Sequence, residues 1–391
     1  MRYASITSRL QGLGGAKWEV HLKARKLIED GHAIIMMTIG EPDIPVAEEL
    51  MNVLEASMRA GRTRYSDGRG EPQILKALAQ KYSKRTGRIV TEKNICCLPG
   101  TQTALYAVMM ALVETGDEVI VGDPLYATYD GVISSTGAVR VSVPLDPANG
   151  FHLRAEDVER AITPRTKVLL LNSPHNPTGA VLSVQEITAI AEVCERHDLW
   201  ILSDEVYEDL IFDAKFASPF DMERFANRTI AVSSISKSHA APGFRSGWCA
   251  GPEEFCKLLL PISESMLFGS QPFIADMTAH AVASEPLAAR AMRTAFIRRV
   301  NIILQALGQE EALVCYRPQS GMFVLVDVKR TGLSGDEFAS RLLDEEQVAV
   351  MPGESFGAQT NGFIRISLTV PDETIREATM RIKKFVARIS I

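Results

Sequence analysis

The chain has 391 residues, 46% hydrophobic and 23% charged, with a formal net charge of -6. Its length outgrows a single hydrophobic core, so two domains are expected. The acidic balance, without blocks of like charge, offers no surface to a phosphate backbone and argues against nucleic acid as a partner.

The leading "MRYASITSRLQGLGG" has no apolar run of the kind that directs secretion, and the "AIIMM" that follows is too short to cross a bilayer, so a soluble cytoplasmic protein is expected. The longer run "AIIMMTIG", residues 33 to 40, precedes the Pro-rich "GEPDIPV" and is expected to join a unit completed later in the chain. From residue 94 onward, "NICCL", "EVIVG", "VRVSV", "VLLLN", "WILSD", "TIAVS" and "GWCAG" read as strands. Helical patterns lie between them, among them "TALYAVMMALVETG" and "SVQEITAIAEVCERHD", the second with Ser183 as cap and Glu186 three positions on. This alternation predicts an α/β fold with a seven-stranded, mostly parallel sheet covered by helices on both faces. After residue 285, "PLAARAMRTAFIRRVNIILQAL", "GMFVLVDV", "VAVMPG" and "FIRISL" predict a smaller α+β unit. The expected division is residues 41–285 as the large domain and 1–40 with 286–391 as the small one. Six scattered cysteines, Cys96 and Cys97 adjacent and none in a CxxC pair, read as reduced, buried thiols. Seven histidines without HExxH or a close helical pair give no support for a metal site.

Polar segments stand where the apolar runs stop, and in such sheets ligands sit beyond the carboxyl ends of the strands. "LPGTQT" contains Gly100, Thr101 and Gln102 at a strand-to-helix turn, where free N–H groups suit a phosphate, although Gly and Thr also serve there as simple caps. "NSPHNPTG" is a rigid turn on composition alone. Asp204 ends a strand in "WILSDEV", where an unpaired carboxylate is costly and calls for a cationic partner in the site or several N–H donors; Tyr207 follows three residues on. "SSISKSHAAPGFRSGW" sets Lys237 among serines and Arg245 eight residues later. A lysine is ordinarily solvated, but an arginine beside Ser234 and the "GTQT" turn suits forked phosphate contacts.

Together, "GTQTAL", "NSPHNPTG", "SDEVY", "SxSK", Arg245 and "FIRISL" resemble the class I and II aminotransferases, the pyridoxal 5'-phosphate enzymes of fold type I, in order and spacing through nearly the whole chain. The resemblance implies that Lys237 forms the Schiff base with the cofactor and then, once freed by substrate, carries the proton between the substrate's Cα and the cofactor's C4′. It implies Asp204 as partner of the ring nitrogen, Tyr207 and Asn176 as donors to the ring's phenolic oxygen, and Tyr126 of "DPLYATY" as the stacking aromatic. Gly100, Thr101, Gln102, Ser234 and Arg245 fall where the family holds the phosphate. Arg365 matches the clamp for the substrate's α-carboxylate, and Gly40 of "IGEPD" approaches that carboxylate through its backbone. Tyr65 of "RYSDGRGEP" matches a tyrosine that reaches the neighbouring subunit's phosphate, which implies a homodimer with shared sites.

The chain departs from the commonest pattern in three places. The loop after "GEPD" is about two residues shorter than usual, a serine-rich string surrounds Lys237, and "ISESMLFGSQPF" has no arginine or lysine where one subgroup binds a side-chain carboxylate. That last feature argues against aspartate as donor. "MRYA", "NSPHNPTGA", "HDLWILSDEVYEDLIFD", "SKSHA" and "MLFGS" resemble the arginine–pyruvate transaminases of bacterial arginine catabolism. A guanidinium substrate needs an acid at the mouth; Asp67 is the candidate, with Glu19 behind it, against the plainer reading of a turn or a pair with Arg69. The alternatives are a broad-specificity or aspartate aminotransferase, a β-lyase on the same fold, and a non-catalytic cofactor-binding domain of the kind found in transcription factors. The acidic charge and the lack of chain left over for a DNA-binding segment weigh against the last.

Overall fold

All seven apolar runs expected in the first sheet are strands of it. They are β2 (Ile95–Leu98), β3 (Glu118–Asp123), β4 (Val139–Pro144), β5 (Thr166–Asn172), β6 (Trp200–Asp204), β7 (Thr229–Ser234) and β8 (Gly247–Ala250), with β1 (Ile35–Met37) lying elsewhere. The computed structural model describes residues 2–11, 13 and 16–389. Met1, Gly12, Gly14, Gly15, Ser390 and Ile391, which fall in the expected segments 1–40 and 286–391 and include the first letter of "MRYA", lie outside the described residues. The strand order is β2-β8-β7-β6-β5-β3-β4. Pairs β3–β4, β3–β5, β5–β6 and β6–β7 are parallel, and β8 runs antiparallel to both β7 and β2. Every residue of β2, β3, β7 and β8 is buried, as helices on both faces require, whereas β4 at the edge is largely open.

The direction of the strands carries the polar turns to one edge. The ends of β2, β3, β5, β6 and β7 point the same way, and Asn172 and Asp204 stand side by side in register. Helix Val184–Arg196 begins with the expected reciprocal cap between Ser183 and Glu186. Helix Thr101–Leu112 is shorter than "TALYAVMMALVETG" suggests, because Val113 turns extended and Gly116 takes a positive φ of 95°. Helices Glu48–Arg59 and Pro72–Thr86, absent from the sequence reading, cover the β2 side of the sheet with Leu54, Leu78 and Tyr82.

The second sheet has the order β1-β11-β12-β10-β9, with β9 (Val314–Tyr316), β10 (Phe323–Asp327), β11 (Val348–Pro352) and β12 (Phe363–Ser367). The run near the amino terminus joins it as expected, since β1 pairs β11 in parallel. Its core gathers Phe296 of helix Leu287–Leu307 with Phe338 and Phe385, whose rings meet edge-on at 5.0 Å. Residues 39 to 43 cross toward the first sheet and are pinned on both sides. Ser367 donates to the Ile39 carbonyl at 2.8 Å, and Arg299 pairs with Asp43 at 2.7 Å. All six cysteines are free, five of them buried. Among the described residues no helix is long and apolar enough to cross a membrane.

Candidate active site

A cleft opens at the carboxyl edge of the seven-stranded sheet, closed on one side by β10 and β12. Gly40, Thr101, Gln102, Tyr126, Asn176, Asp204, Tyr207, Ser234, Lys237, Arg245 and Arg365 all line it, which brings together eleven of the residues expected from sequence. Gly100 stands at its wall. Lys237 lies on a short helical turn, Ile235–Ser238, immediately after β7, and its Nζ donates to the Gly40 carbonyl at 2.5 Å. Burial, with Arg365 and Arg245 nearby, lowers its pKa to about 8, against the opposing pull of Glu41 and Asp204. Such a lysine has a usable neutral fraction near neutral pH.

Asp204 is 3% exposed, and burial raises its pKa to about 6. Its Oδ2 accepts from the Tyr129 hydroxyl at 2.7 Å and its Oδ1 from the Val206 N–H at 3.2 Å. Asn172 braces this end of the sheet: its Nδ2 donates to the Asp204 carbonyl at 3.1 Å, and its Oδ1 accepts from the Asn176 N–H at 2.9 Å. Tyr207 is buried beside Asn176, and burial pushes its hydroxyl well above the usual phenol range. Tyr126 packs edge-on against Tyr129 at 5.6 Å.

Arg365 is 2% exposed and lies between two rings, 3.8 Å from the centre of Phe323 and 4.4 Å from that of Phe356. Its Nη1 donates to Asn176 Oδ1 at 3.0 Å and its Nη2 to the Thr38 carbonyl at 2.7 Å, while Nε is buried with no protein partner. A guanidinium so confined keeps its fork in one plane, and burial lowers its pKa to about 10, leaving it charged at neutral pH. At the other end of the cleft, Gly100 adopts a φ of +84°, and a Cβ there would stand 2.2 Å from Arg245 Nη2. Arg245 is itself left-handed at φ 50°, held by Nη1 donating to the Pro242 carbonyl at 2.7 Å.

The family model described as aminotransferase class I and II matches residues 33–382. The chain belongs to the class I and II aminotransferases. An arginine–pyruvate transaminase of Pseudomonas aeruginosa is 42% identical over 98% of this chain and 97% of its own length. An aspartate/prephenate aminotransferase of Cereibacter sphaeroides is 34% identical over 94% of this chain and 95% of its own. Among solved structures, a single mutant of Thermus thermophilus aspartate aminotransferase superposes with a TM-score of 0.91 at 32% identity, covering 100% of both chains. The aminotransferase fold read from sequence is thus the fold observed, and the chain is a transaminase of a family that works with pyridoxal 5'-phosphate.

The aminotransferase cleft suits that cofactor on its own chemistry. Thr101 Oγ1 is buried without a partner at the amino end of helix Thr101–Leu112, where free N–H groups and Arg245 favour an anion. At the opposite wall, the buried Asp204 carboxylate calls for a cation such as a protonated ring nitrogen. Three sequence candidates lie apart from the cleft of their own chain. Tyr65 is 88% exposed and meets Phe268 edge-on at 5.7 Å; Asp67 is exposed, with Oδ1 accepting from the Arg69 N–H at 2.9 Å; Glu19 is exposed at the start of helix Glu19–Glu29. Asp67 therefore performs the turn chemistry of the plainer reading, and the Arg69 guanidinium goes instead to the Lys93 carbonyl at 2.8 Å. Tyr129, Asn172, Trp18, Phe323 and Phe356 were missed. Tyr129 stands three residues after Tyr126 in "DPLYATY" and Asn172 opens "NSPHNPTG", so both were within reach of the motifs. Phe323 sits two positions from Leu325, which faces Arg365 across β10 and β12, and only that register reveals it. Trp18 carries no signal in the sequence.

Proposed function

We propose that this chain transfers the α-amino group of an L-amino acid to a 2-oxo acid in a ping-pong cycle, with arginine as donor and pyruvate as acceptor, holding pyridoxal 5'-phosphate at Lys237. The observation that carries this reading is one cleft containing a buried lysine whose pKa is lowered, a buried carboxylate and a buried arginine fork. The cofactor, when bound, supplies a carbonyl that captures amines and a ring that accepts electrons from the substrate's Cα. Gly100, Thr101, Gln102, Ser234 and Arg245 hold its phosphate, and Tyr126 stacks on its ring. Asp204 faces the ring nitrogen, and Tyr207 with Asn176 donates to the phenolic oxygen. Arg365 turns its fork, with the unpaired Nε, to the substrate's α-carboxylate beside Gly40. Lys237 Nζ, freed from the cofactor, takes the proton from the substrate's Cα and delivers it to the cofactor's C4′ carbon, so that the amino group stays with the cofactor.

Arginine is favoured over aspartate by charge. Arg245 and Arg365 are the only guanidiniums among the described cleft-lining residues, and both have other ligands in this assignment, so none is left for a side-chain carboxylate. The 42% identity to an arginine–pyruvate transaminase points the same way. Asp67, and behind it Glu19, remains the acidic candidate for the donor's guanidinium, with Asp67 acting from the neighbouring subunit's loop next to Tyr65. We further propose a homodimer with shared sites, a large domain of residues 41–285, and a small domain of 1–40 with 286–391 that closes on substrate. The free, buried cysteines suit the reducing cytoplasm.

The test is the visible spectrum of the purified holoenzyme with L-arginine, L-aspartate or L-alanine added singly and no 2-oxo acid. Bleaching of the lysine-bound cofactor at the lowest concentration of arginine, with the amine form of the cofactor left behind, is the expected result. Return of the original band with release of ammonia would instead identify a lyase, and bleaching by aspartate first would remove arginine as the donor.

A further inference from the structure

The Tyr129 hydroxyl has no part in the roles assigned above, yet it is the one side chain among the described residues that hydrogen bonds to the Asp204 carboxylate. Tyr129 opens helix Tyr129–Thr136, is 1% exposed, and is wedged edge-on against Tyr126. Its position is therefore set by packing, and its 2.7 Å contact with Oδ2 fixes the carboxylate's rotation. The other titratable groups facing Asp204 are Lys237 from the turn after β7, Tyr126 from the loop after β3, and Tyr207 from its own loop. None of these three donates a hydrogen bond to it among the described contacts.

We propose that Tyr129 is a positioning residue: its hydroxyl holds Asp204 ionised and oriented, so that the proton between Asp204 and the ligand's ring nitrogen stays on the nitrogen. This rests on the reading that Asp204 faces that nitrogen. When a carboxylate and a pyridine share one proton, the stronger base keeps it. Burial makes Asp204 a stronger base than an ordinary carboxylate, and a hydrogen bond to its ionised form opposes that change. Burial also keeps the Tyr129 phenol protonated far above neutral pH, so it remains a donor throughout the working range.

Tyr129→Phe keeps the ring and its contact with Tyr126 while removing the donor. In the full-length apoprotein, Asp204 followed by carboxyl-carbon NMR is expected to titrate roughly one to two pH units higher than in the parent. In holoenzyme carrying ring-nitrogen-labelled pyridoxal phosphate, the nitrogen signal is expected to move toward that of a neutral pyridine. A purely structural role would lower the melting temperature and move neither signal. If the Phe variant does not fold, 3-fluorotyrosine at position 129, a more acidic donor, is expected to move the Asp204 titration downward. An Asp204 titration unchanged by the substitution overturns the proposal. A displaced titration with an unmoved ring-nitrogen signal upholds the grip of Tyr129 on Asp204 and removes Asp204 as the ring's partner.

Discussion

At the level of single residues, the cleft is legible where charge ends an apolar strand. Asp204 announces itself because a carboxylate that closes an apolar strand needs a partner, whereas Lys237 and Arg365 stand out only within the whole set of motifs, since a lone lysine or arginine is ordinarily solvated. Phe323 does not announce itself, because an aromatic in an apolar strand looks like core until the register is known, and Tyr129, although it closes "DPLYATY", shows its partner only when the fold brings Asp204 to it. The cost of the buried carboxylate can be measured. Displacement from 3.8 to about 6 places the folded value above the unfolded one, so Asp204 contributes favourably below about pH 4 and loses that contribution as pH rises through 6. The loss amounts to roughly 3 kcal/mol. Asp204→Asn is therefore expected to stabilise the apoprotein by up to about that amount at pH 8 and to leave it unchanged at pH 3.5, as read by urea unfolding; an equal gain at both values would assign the effect to packing. Lys237→Ala is expected to abolish the absorbance of lysine-bound cofactor and to lower turnover about a hundredfold to ten-thousandfold. Near-normal turnover would remove Lys237 from the chemistry.

At the level of elements, strands of the main sheet whose two faces are buried, such as β2 and β3, were legible as nearly continuous apolar runs, while the open edge strand β4 was legible by its β-branched alternation "VRVSV". Helices Glu48–Arg59 and Pro72–Thr86 were not, because their composition is polar on average; their buried stripes, Leu50 and Leu54 on one and Ile74, Leu75, Leu78 and Tyr82 on the other, show their purpose only once they pack in one core with Ile95 and Trp248. Between β2 and helix Thr101–Leu112 the decisive feature is backbone room. Gly100 takes a positive φ with Arg245 Nη2 against it, and a Cβ on Gly247 of β8 would stand 2.6 Å from the Gly100 carbonyl carbon. The turn, the arginine and the antiparallel strand thus occupy one tightly shared space. A side chain in this positive-φ, extended conformation costs about 1–3 kcal/mol, and here it also pushes the guanidinium aside. Gly100→Ala is expected to lower pyridoxal phosphate affinity at least about tenfold, measured by titrating apoprotein. An unchanged affinity would mean that Arg245 does not hold the phosphate.

At the level of the whole molecule, the unexplained residue is Tyr65. A tyrosine 88% exposed beside a phenylalanine 73% exposed leaves an apolar pair open to water in a chain standing alone, and exposed apolar patches of this kind mark contact surfaces. In the proposed dimer, Tyr65 crosses to the partner's cleft and donates to the phosphate there. Its sequence signal was a motif and not a physical pattern, because a residue that works in a neighbouring subunit leaves no mark on its own chain's periodicity. Loss of one hydrogen bond to a charged group is worth about 1.5–3 kcal/mol, so Tyr65→Phe is expected to weaken cofactor binding roughly tenfold to a hundredfold without changing the sedimentation coefficient. The direction of the contact is then settled by mixing. In hybrids of one Tyr65→Phe chain and one Lys237→Ala chain, service across the interface puts both defects in one cleft and leaves the other intact. Service within the chain leaves every cleft with one defect. Titration of such hybrids is therefore expected to give half of the sites with parental affinity and the lysine-bound absorbance. A hybrid with no such site would return Tyr65 to its own subunit and remove the argument for shared sites, and with it the route by which Asp67 would reach a donor's guanidinium.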